Sequence, residues 1–384
     1  MLIGVDASRA FSSPRTGTEN YSYQLIKAIT QIDEQNEYKL YTRGQNKDEI
    51  EKALNVVLPD NFEVININFP RLWTQIGLAK EGTFRPPEIL FIPAHTLPVL
   101  RSPKIKTVVT IHDLGYEYLP QYHQFPQKLY LNRSTEYAVW QSTKLIAVSE
   151  YTKKDLIQKL QATEDKISVI YEGYDKSKFK NQNSQASSRT GLAKIKNNRV
   201  LKKYSLKNPF LLFVGTLQPR KNIIRLIESF SLICPKINPK IELVIAGNKG
   251  WMYEEILEAP KKFGIEKRVR FLGYTSEEDL PALYSSTLCF CLPSLFEGFG
   301  LPVLEAMACG APVLVSTTSS LPEVAGEAGI YVDAYDSLDV ADKLKSVVSS
   351  KNMRVIKSKQ SIEQAKKFSW EKCAKETIEV FKSL

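Results

Sequence analysis

Two carboxylates, Glu297 and Glu305, stand eight residues apart in PSLFEGFGLPVLEAMACG, residues 293–310. Gly298 and Gly300 lie between them, Pro302 is placed to start a helix, and Gly310 is placed to close it. Glycines let a backbone approach a ligand closely, and a helix start offers N–H groups and a positive dipole end to a phosphate. Two carboxylates around such a point can accept hydrogen bonds from sugar hydroxyls. Glu305 also has a plain structural reading, because the dipole alone favours Glu in a first helical turn.

A second cluster is GTLQPRKN, residues 215–222, directly after FLLFV and before IIRLIESF. Gly215 can bring the backbone close to a ligand, Arg220 offers a planar fork and Lys221 a point charge, a pair suited to a diphosphate leaving group. Cations at a helix start oppose the dipole, which weighs against two ordinary surface charges. A third is VDASRAFSSPRTGTENY, residues 5–21, with Gly17 in a loop and Thr18 as an N-cap, although Gly17 also reads as a turn residue. The fourth, TVVTIHDLGY, ends a strand with His112 and Asp113, where open α/β sheets bind ligands. His112 is one of three histidines, with His95 and His123, and a satisfied structural histidine is its alternative reading.

These residues need a scaffold, and the apolar runs describe one. Continuous β-branched runs recur at Leu2–Ala7, Tyr38–Tyr41, Val64–Ile67, Ile89–Pro93, Thr107–Ile111, Leu145–Ser149 and Ile167–Tyr171. Runs without alternation predict parallel strands covered on both faces. Helical spacings fall between them, as at Tyr21, Leu25, Ile29 and Ile32. The rhythm restarts at Phe210–Gly215, Ile241–Gly247, Val269–Gly273, Leu288–Pro293, Pro312–Ser316 and Gly329–Val332. At 384 residues the prior is two domains, and the pattern predicts two doubly wound α/β units.

The domain reading is 1–175 plus an amphipathic C-terminal helix, 369–384; a basic linker or insertion, 176–208; and a second domain, 209–368. The linker is rich in Lys, Asn and Ser and shows no apolar period until about Val200, so it is read as a mobile surface segment. The net charge of +10 implies anionic company: nucleotide phosphates, an anionic membrane surface or nucleic acid. No aromatic-interleaved basic strand or recognition helix supports nucleic acid. No apolar run approaches the roughly 20 residues of a membrane span. Residues 1–7 lack a signal-peptide pattern, which predicts a cytosolic chain. Five cysteines without paired metal spacing read as reduced core thiols.

EGFGLPVLEAMACG, with its E-x7-E spacing, resembles the signature of glycosyltransferase family 4, which has the GT-B fold of two Rossmann-like domains facing across a cleft. The resemblance implies that Glu297 contacts donor-sugar hydroxyls, that Glu305 holds the ribose, and that Gly298, Phe299, Gly300 and Leu301 supply backbone contacts. It implies that Arg220 and Lys221, after Gly215, replace a metal ion at the diphosphate. Gly17 corresponds to the family's N-terminal glycine loop, but Gly17, Thr18, Glu19, Asn20, Tyr21 departs from a Gly-Ile-Gly-Arg-Tyr-like string. His112 corresponds to the histidine beside the reacting sugar, with Asp113 and Thr18 on the acceptor side. Gly273 and Tyr274 would face the base through their backbones. FIPAHTLP (91–98), AVSEYTKKDL (147–156) and LPEVAGEAGIYVD (321–333) extend the likeness over nearly the whole chain, except 176–208.

The resemblance implies retention of anomeric configuration without an enzyme nucleophile, and no metal or cofactor. It predicts that Glu297→Ala costs turnover far more than folding stability. The donor would be GDP-mannose or a UDP-sugar, and the acceptor a glycan or lipid-linked glycan of surface polysaccharide synthesis. The basic balance and the aromatic, basic stretch 122–134, which also reads as an ordinary exposed helix, point to the lipid-linked acceptor, and contact with an anionic inner membrane face is a further expectation. A GT-B sugar-nucleotide epimerase and a basic nucleic-acid-binding protein are the alternatives, and a dehydrogenase is disfavoured because no G-x-G-x-x-G turn follows a first strand.

Overall fold

A computed structural model describes residues 1–12, 15, 17–69, 72–115, 127–179, 192–234 and 240–384. It divides into two compact units, Met1–Gly173 with Ser369–Leu384, and Tyr174–Phe368. The first unit holds strands β1 (Leu2–Asp6), β2 (Glu37–Thr42), β3 (Phe62–Asn66), β4 (Ile89–Ile92), β5 (Lys106–Ile111), β6 (Lys144–Ala147) and β7 (Ile167–Val169). The second holds β8 (Phe210–Val214), β9 (Glu242–Ala246), β10 (Val269–Gly273), β11 (Cys289–Leu292), β12 (Val313–Ser316) and β13 (Gly329–Val332). Every pairing is parallel.

The sheet orders are β3-β2-β1-β4-β5-β6-β7 and β10-β9-β8-β11-β12-β13. Each chain runs outward from its first strand and then returns to that strand's other side. The direction therefore switches at β1/β4 and at β8/β11, and ligands bind at the carboxyl ends beside such points. Central strands such as β4 (ILFI), β11 (CFCL) and β12 (VLVS) are buried at every position. Edge strands β3 and β10 are only partly buried. Both-face cover by helices explains the unbroken apolar runs of the central strands.

Helix Trp370–Lys382 belongs to the first unit and packs on helix Gly17–Ile32. Ser369 caps it by accepting from the Lys372 N–H at 3.1 Å, and Trp370, Cys373, Ala374, Ile378 and Phe381 are buried. Tyr21 meets Trp370 edge-on at 5.8 Å, and Phe91 of β4 meets Phe381 at 5.3 Å. Gly173, at the end of the unit's first segment, lies against the start of this helix. A Cβ there would stand 2.1 Å from the Trp370 nitrogen, so only glycine fits.

The segment read as an insertion, 176–208, differs in its described part from the sequence expectation. Residues 180–191 lie outside the described residues. Helix Leu192–Lys203 follows, with Val200 and Leu206 buried. Its C-terminal end is fastened to the unit: Lys203 Nζ and Tyr204 Oη both donate to Asp279 Oδ2, at 2.5 and 2.9 Å. Arg270 donates to the carbonyls of Ser205 and Tyr204 at 2.7 and 2.8 Å. The sparse apolar period hid this because polar side chains make the attachment. All five cysteines are buried and unpaired. Among the described residues, no helix is long and apolar enough to cross a membrane.

Candidate active site

The second unit brings Arg220, Lys221 and Glu297 together. After β8 the chain turns at Gly215, whose φ of 153° lies in a region L side chains rarely adopt. A short 3-10 turn, Pro219–Lys221, then leads into helix Ile223–Ile233. Asn222, left-handed at φ 58°, joins the two and donates its side-chain amide to the carbonyls of Pro293 and Ala334 at 3.0 and 2.7 Å. The turn after β8 is thereby fixed to the segments that follow β11 and β13.

Glu297 follows β11 and accepts from Arg220 Nη1 at 2.8 Å, Lys221 Nζ at 2.6 Å and Ser294 Oγ at 2.7 Å. Arg220 Nη1 also reaches the Phe296 carbonyl at 2.9 Å. Ser319 Oγ accepts the Glu297 N–H at 3.0 Å, and Ser320 Oγ donates to the carbonyls of Glu297 and Phe299 at 3.0 and 2.8 Å. Glu297 and Lys221 are 5% and 6% exposed, so this is a buried ion pair with a second cation at its edge. Burial pushes the Glu297 carboxyl up, but the Arg220 and Lys221 charges and the hydrogen bonds outweigh it and hold it down at about 2.

Gly300, at φ 111°, precedes helix Leu301–Ala308, and a Cβ there would meet Leu321 at 2.8 Å. Pro302 lies in that helix's first turn, and the first N–H groups of any helix lack intrahelical acceptors. Gly298 lies in the loop before it. Phe299 turns its ring inward, 4% exposed and edge-on to Phe368 at 5.9 Å, leaving backbone alone for any ligand contact. Glu305 accepts from Tyr284 Oη at 3.1 Å, and burial pushes its carboxyl up to about 8. Tyr274 follows β10 and is 63% exposed.

In the first unit, Gly17 opens helix Gly17–Ile32 and a Cβ on it would meet nothing within 4 Å. Thr18 is thus inside the first turn rather than its N-cap; the helix begins two residues earlier than an N-cap at Thr18 implied. Asp113 accepts the Gly115 N–H at 2.9 Å. His112 is 7% exposed, with Nε2 at 2.9 Å from the Pro93 carbonyl and Nδ1 at 3.4 Å from Glu172 Oε1. Facing a carbonyl and a carboxylate, both nitrogens do best protonated. Burial pulls the imidazole pKa down, but Glu172 and the Pro93 carbonyl reverse this and raise it. His95 is lowered to about 3 by burial and the His112 charge.

Sequence reasoning missed Glu172, buried and with Oε2 lacking a hydrogen-bond partner. Its only signal was an acidic residue just past β7. His123 and residues 122–126 of the aromatic, basic stretch lie outside the described residues. Among the described residues, no three His, Cys, Asp or Glu side chains cluster as a metal site.

Comparison with known proteins gives two family matches in tandem. The profile described as Glycosyltransferase Family 4 matches residues 15–178, and that of Glycosyl transferases group 1 matches residues 195–368. O-antigen chain mannosyltransferase B of Escherichia coli is 28% identical, over 98% of this chain and 99% of its own. Sucrose-phosphate synthase from Thermosynechococcus elongatus superposes with a TM-score of 0.75 at 17% identity, covering 100% of this chain and 98% of that one. Anabaena HepE, in complex with UDP and glucose, gives 0.73 at 16%, covering 100% and 99%. These two structures speak for the fold alone. With both halves matched in order and two parallel-sheet Rossmann-like units observed, the chain belongs to the family 4 glycosyltransferases of GT-B fold.

Proposed function

We propose that this glycosyltransferase is a retaining mannosyltransferase that uses GDP-mannose and a lipid-linked glycan acceptor in surface polysaccharide synthesis. The observation that carries this reading is the buried Arg220–Lys221–Glu297 cluster, net charge +1 (two cations, one carboxylate), beside the start of helix Leu301–Ala308. Mannose and the polysaccharide rest on the likeness to the Escherichia coli O-antigen enzyme.

In glycosyl transfer the anomeric carbon gains oxocarbenium character while the diphosphate gathers negative charge. Arg220 and Lys221, preorganised by Glu297, stabilise that charge in the place of a metal ion, each by about 2–4 kcal/mol by analogy with oxyanion donors. Three donors occupy three of the roughly four acceptor positions of the Glu297 carboxylate, leaving one for a sugar hydroxyl. Gly215, Gly298, Gly300 and Leu301 give backbone room at the phosphates, Glu305 takes the ribose, and Tyr274 lies at the base. Gly17, Thr18 and Asp113 serve from the first unit. His112 acts through the charge that Glu172 sustains, because its Nε2–H is held by Pro93. No group is assigned as nucleophile; the diphosphate takes the acceptor proton in a front-face displacement. The enzyme works in the cytoplasm at the membrane, its net positive surface against anionic lipid.

Calorimetric titration with GDP, UDP and ADP, without added metal, tests the reading on wild type and Arg220→Gln. Arg220 is chosen because its side chain is 26% exposed, whereas truncating Lys221 would disturb the core. Selective GDP binding, at least tenfold weaker in the variant, is expected. Folded wild type that binds none of the three overturns the reading.

A further inference from the structure

Helix Leu280–Ser286 of the second unit carries Tyr284, whose side chain is fully buried. Its hydroxyl donates to Glu305 Oε2 at 3.1 Å, across to helix Leu301–Ala308. Glu305 itself is only partly buried. A carboxylate with one oxygen tied inside and an open edge presents its other oxygen in a fixed direction.

What holds Tyr284 comes largely from the segment that reads in the sequence as a linker. Phe179, 5% exposed, meets the Tyr284 ring edge-on at 6.2 Å, and Phe290 of β11 meets it at 5.5 Å. Asn197 Nδ2 donates to Oγ of the adjoining Ser285 at 3.1 Å. Lys178 Nζ donates to Glu277 Oε2 at 2.6 Å, just before the helix starts. Asp279 stands at the helix N-cap, yet its side chain caps no helix N–H. Its carboxylate takes Lys203 and Tyr204 instead, so an ordinary cap is forgone for the attachment. Both ends of this short helix are thereby fastened to the segment.

We propose that Tyr284 positions Glu305 for the nucleotide ribose, and that the described parts of 176–208 are a brace that keeps Tyr284 in place. The proposal rests on the assignment of the ribose to Glu305. With Oε2 held by the Tyr284 hydroxyl, Oε1 is left to accept from a ribose hydroxyl. An untethered carboxylate has to be ordered on binding, which costs affinity. The tether also favours the ionised form that accepts. Burial raises the Glu305 carboxyl most and the Tyr284 hydroxyl opposes it, with Glu277 and Asp175 adding to the rise and Lys178 to the opposition. The Cys309 thiol beside it is itself pushed up by burial and stays neutral. Without the Tyr284 hydroxyl, less of the carboxyl is ionised at pH 7.

Nucleotides that differ only in the ribose test this by calorimetry on the full chain: GDP and UDP against their 2′,3′-dideoxy forms. The variants are Tyr284→Phe and, on the brace, Lys203→Met/Tyr204→Phe, where the Lys203 side chain is 57% exposed. Wild type should prefer the nucleotide that keeps its hydroxyls. Tyr284→Phe should lose about three- to tenfold of that preference and bind the dideoxy form as before. The rise in affinity with pH, as Glu305 ionises, should move upward in the same variant. Lys203→Met/Tyr204→Phe should lose part of the preference, and it decides the matter if Tyr284→Phe does not fold. A preference lost in Tyr284→Phe alone refutes the brace. Equal losses for both forms of the nucleotide, or an unchanged preference in both variants, overturn the proposal and leave the ribose assignment standing. Wild type that binds the two forms equally removes the ribose assignment, and the proposal with it. Wild type that binds no nucleotide counts against the transfer reading itself.

Discussion

Glu297→Gln removes the charge that neutralises a buried lysine. The carboxyl is held at about 2 against its ordinary 4.5, which at about 1.36 kcal/mol per pH unit is roughly 3 kcal/mol of stability at neutral pH. Removing one partner of a buried ion pair costs about 3–5 kcal/mol, in the same range. The pKa is depressed, so this stabilisation is complete above the ordinary value and is lost as pH falls. About half is gone near pH 3, and nearly all of it once the pH is below 2. Hydrogen exchange read by mass spectrometry on peptides of β8 and β11 measures the second unit separately, with the first unit as internal control. A loss of about 3 kcal/mol makes global exchange roughly 150-fold faster. Lys221→Met/Glu297→Gln should recover part of the loss, because no buried lysine is left without its counter-charge. Equal protection in wild type and Glu297→Gln at pH 7 would refute the reasoning. The sequence reading expects Glu297→Ala to cost turnover far more than folding stability; the buried ion pair predicts a substantial cost to stability as well.

The His112 imidazole should titrate above its ordinary 6.5 by proton NMR, and markedly lower in Glu172→Gln, since only the Pro93 carbonyl and the Asp113 charge would then oppose burial. A raised pKa stabilises the fold below 6.5, and that contribution fades as pH climbs through the folded value; an unshifted resonance in the variant would contradict the assignment. Phe381→Ala should cost the first unit about 3–5 kcal/mol and leave the second unit's calorimetric transition unmoved. Chain ending at Phe368 should lose activity for the same reason, as the face of helix Gly17–Ile32 would be uncovered. With Glu305 at about 8, nucleotide binding at pH 7 should release a proton if its ionised carboxylate takes the ribose. Titrations in two buffers of different ionisation enthalpy detect that proton, and identical heats would remove Glu305 from the ribose.

The thirteen strands among the described residues were legible from the chain because each is a local run of apolar residues, and local runs bury wherever helices cover both faces. Their ends shifted by a residue or two, as at Ile241–Gly247 against Glu242–Ala246, since pairing rather than composition ends a strand. EGFGLPVLEAMACG and GTLQPRKN were also legible, as glycines, carboxylates and cations in adjacent positions. Sequence could not show that these two stretches meet. Glu297 and Lys221 are 76 residues apart, and the β8–β11 adjacency puts the carboxylate on the cation. His112 read as a strand-end ligand or a satisfied structural histidine until folding placed Pro93 on one nitrogen and Glu172 on the other, 19 and 60 residues away. The spacing of residue types determined which elements form and which chemistry they carry. Strand order alone decided which charges stand together, because an ion pair depends on distance in space and on burial, and neither is written in the chain.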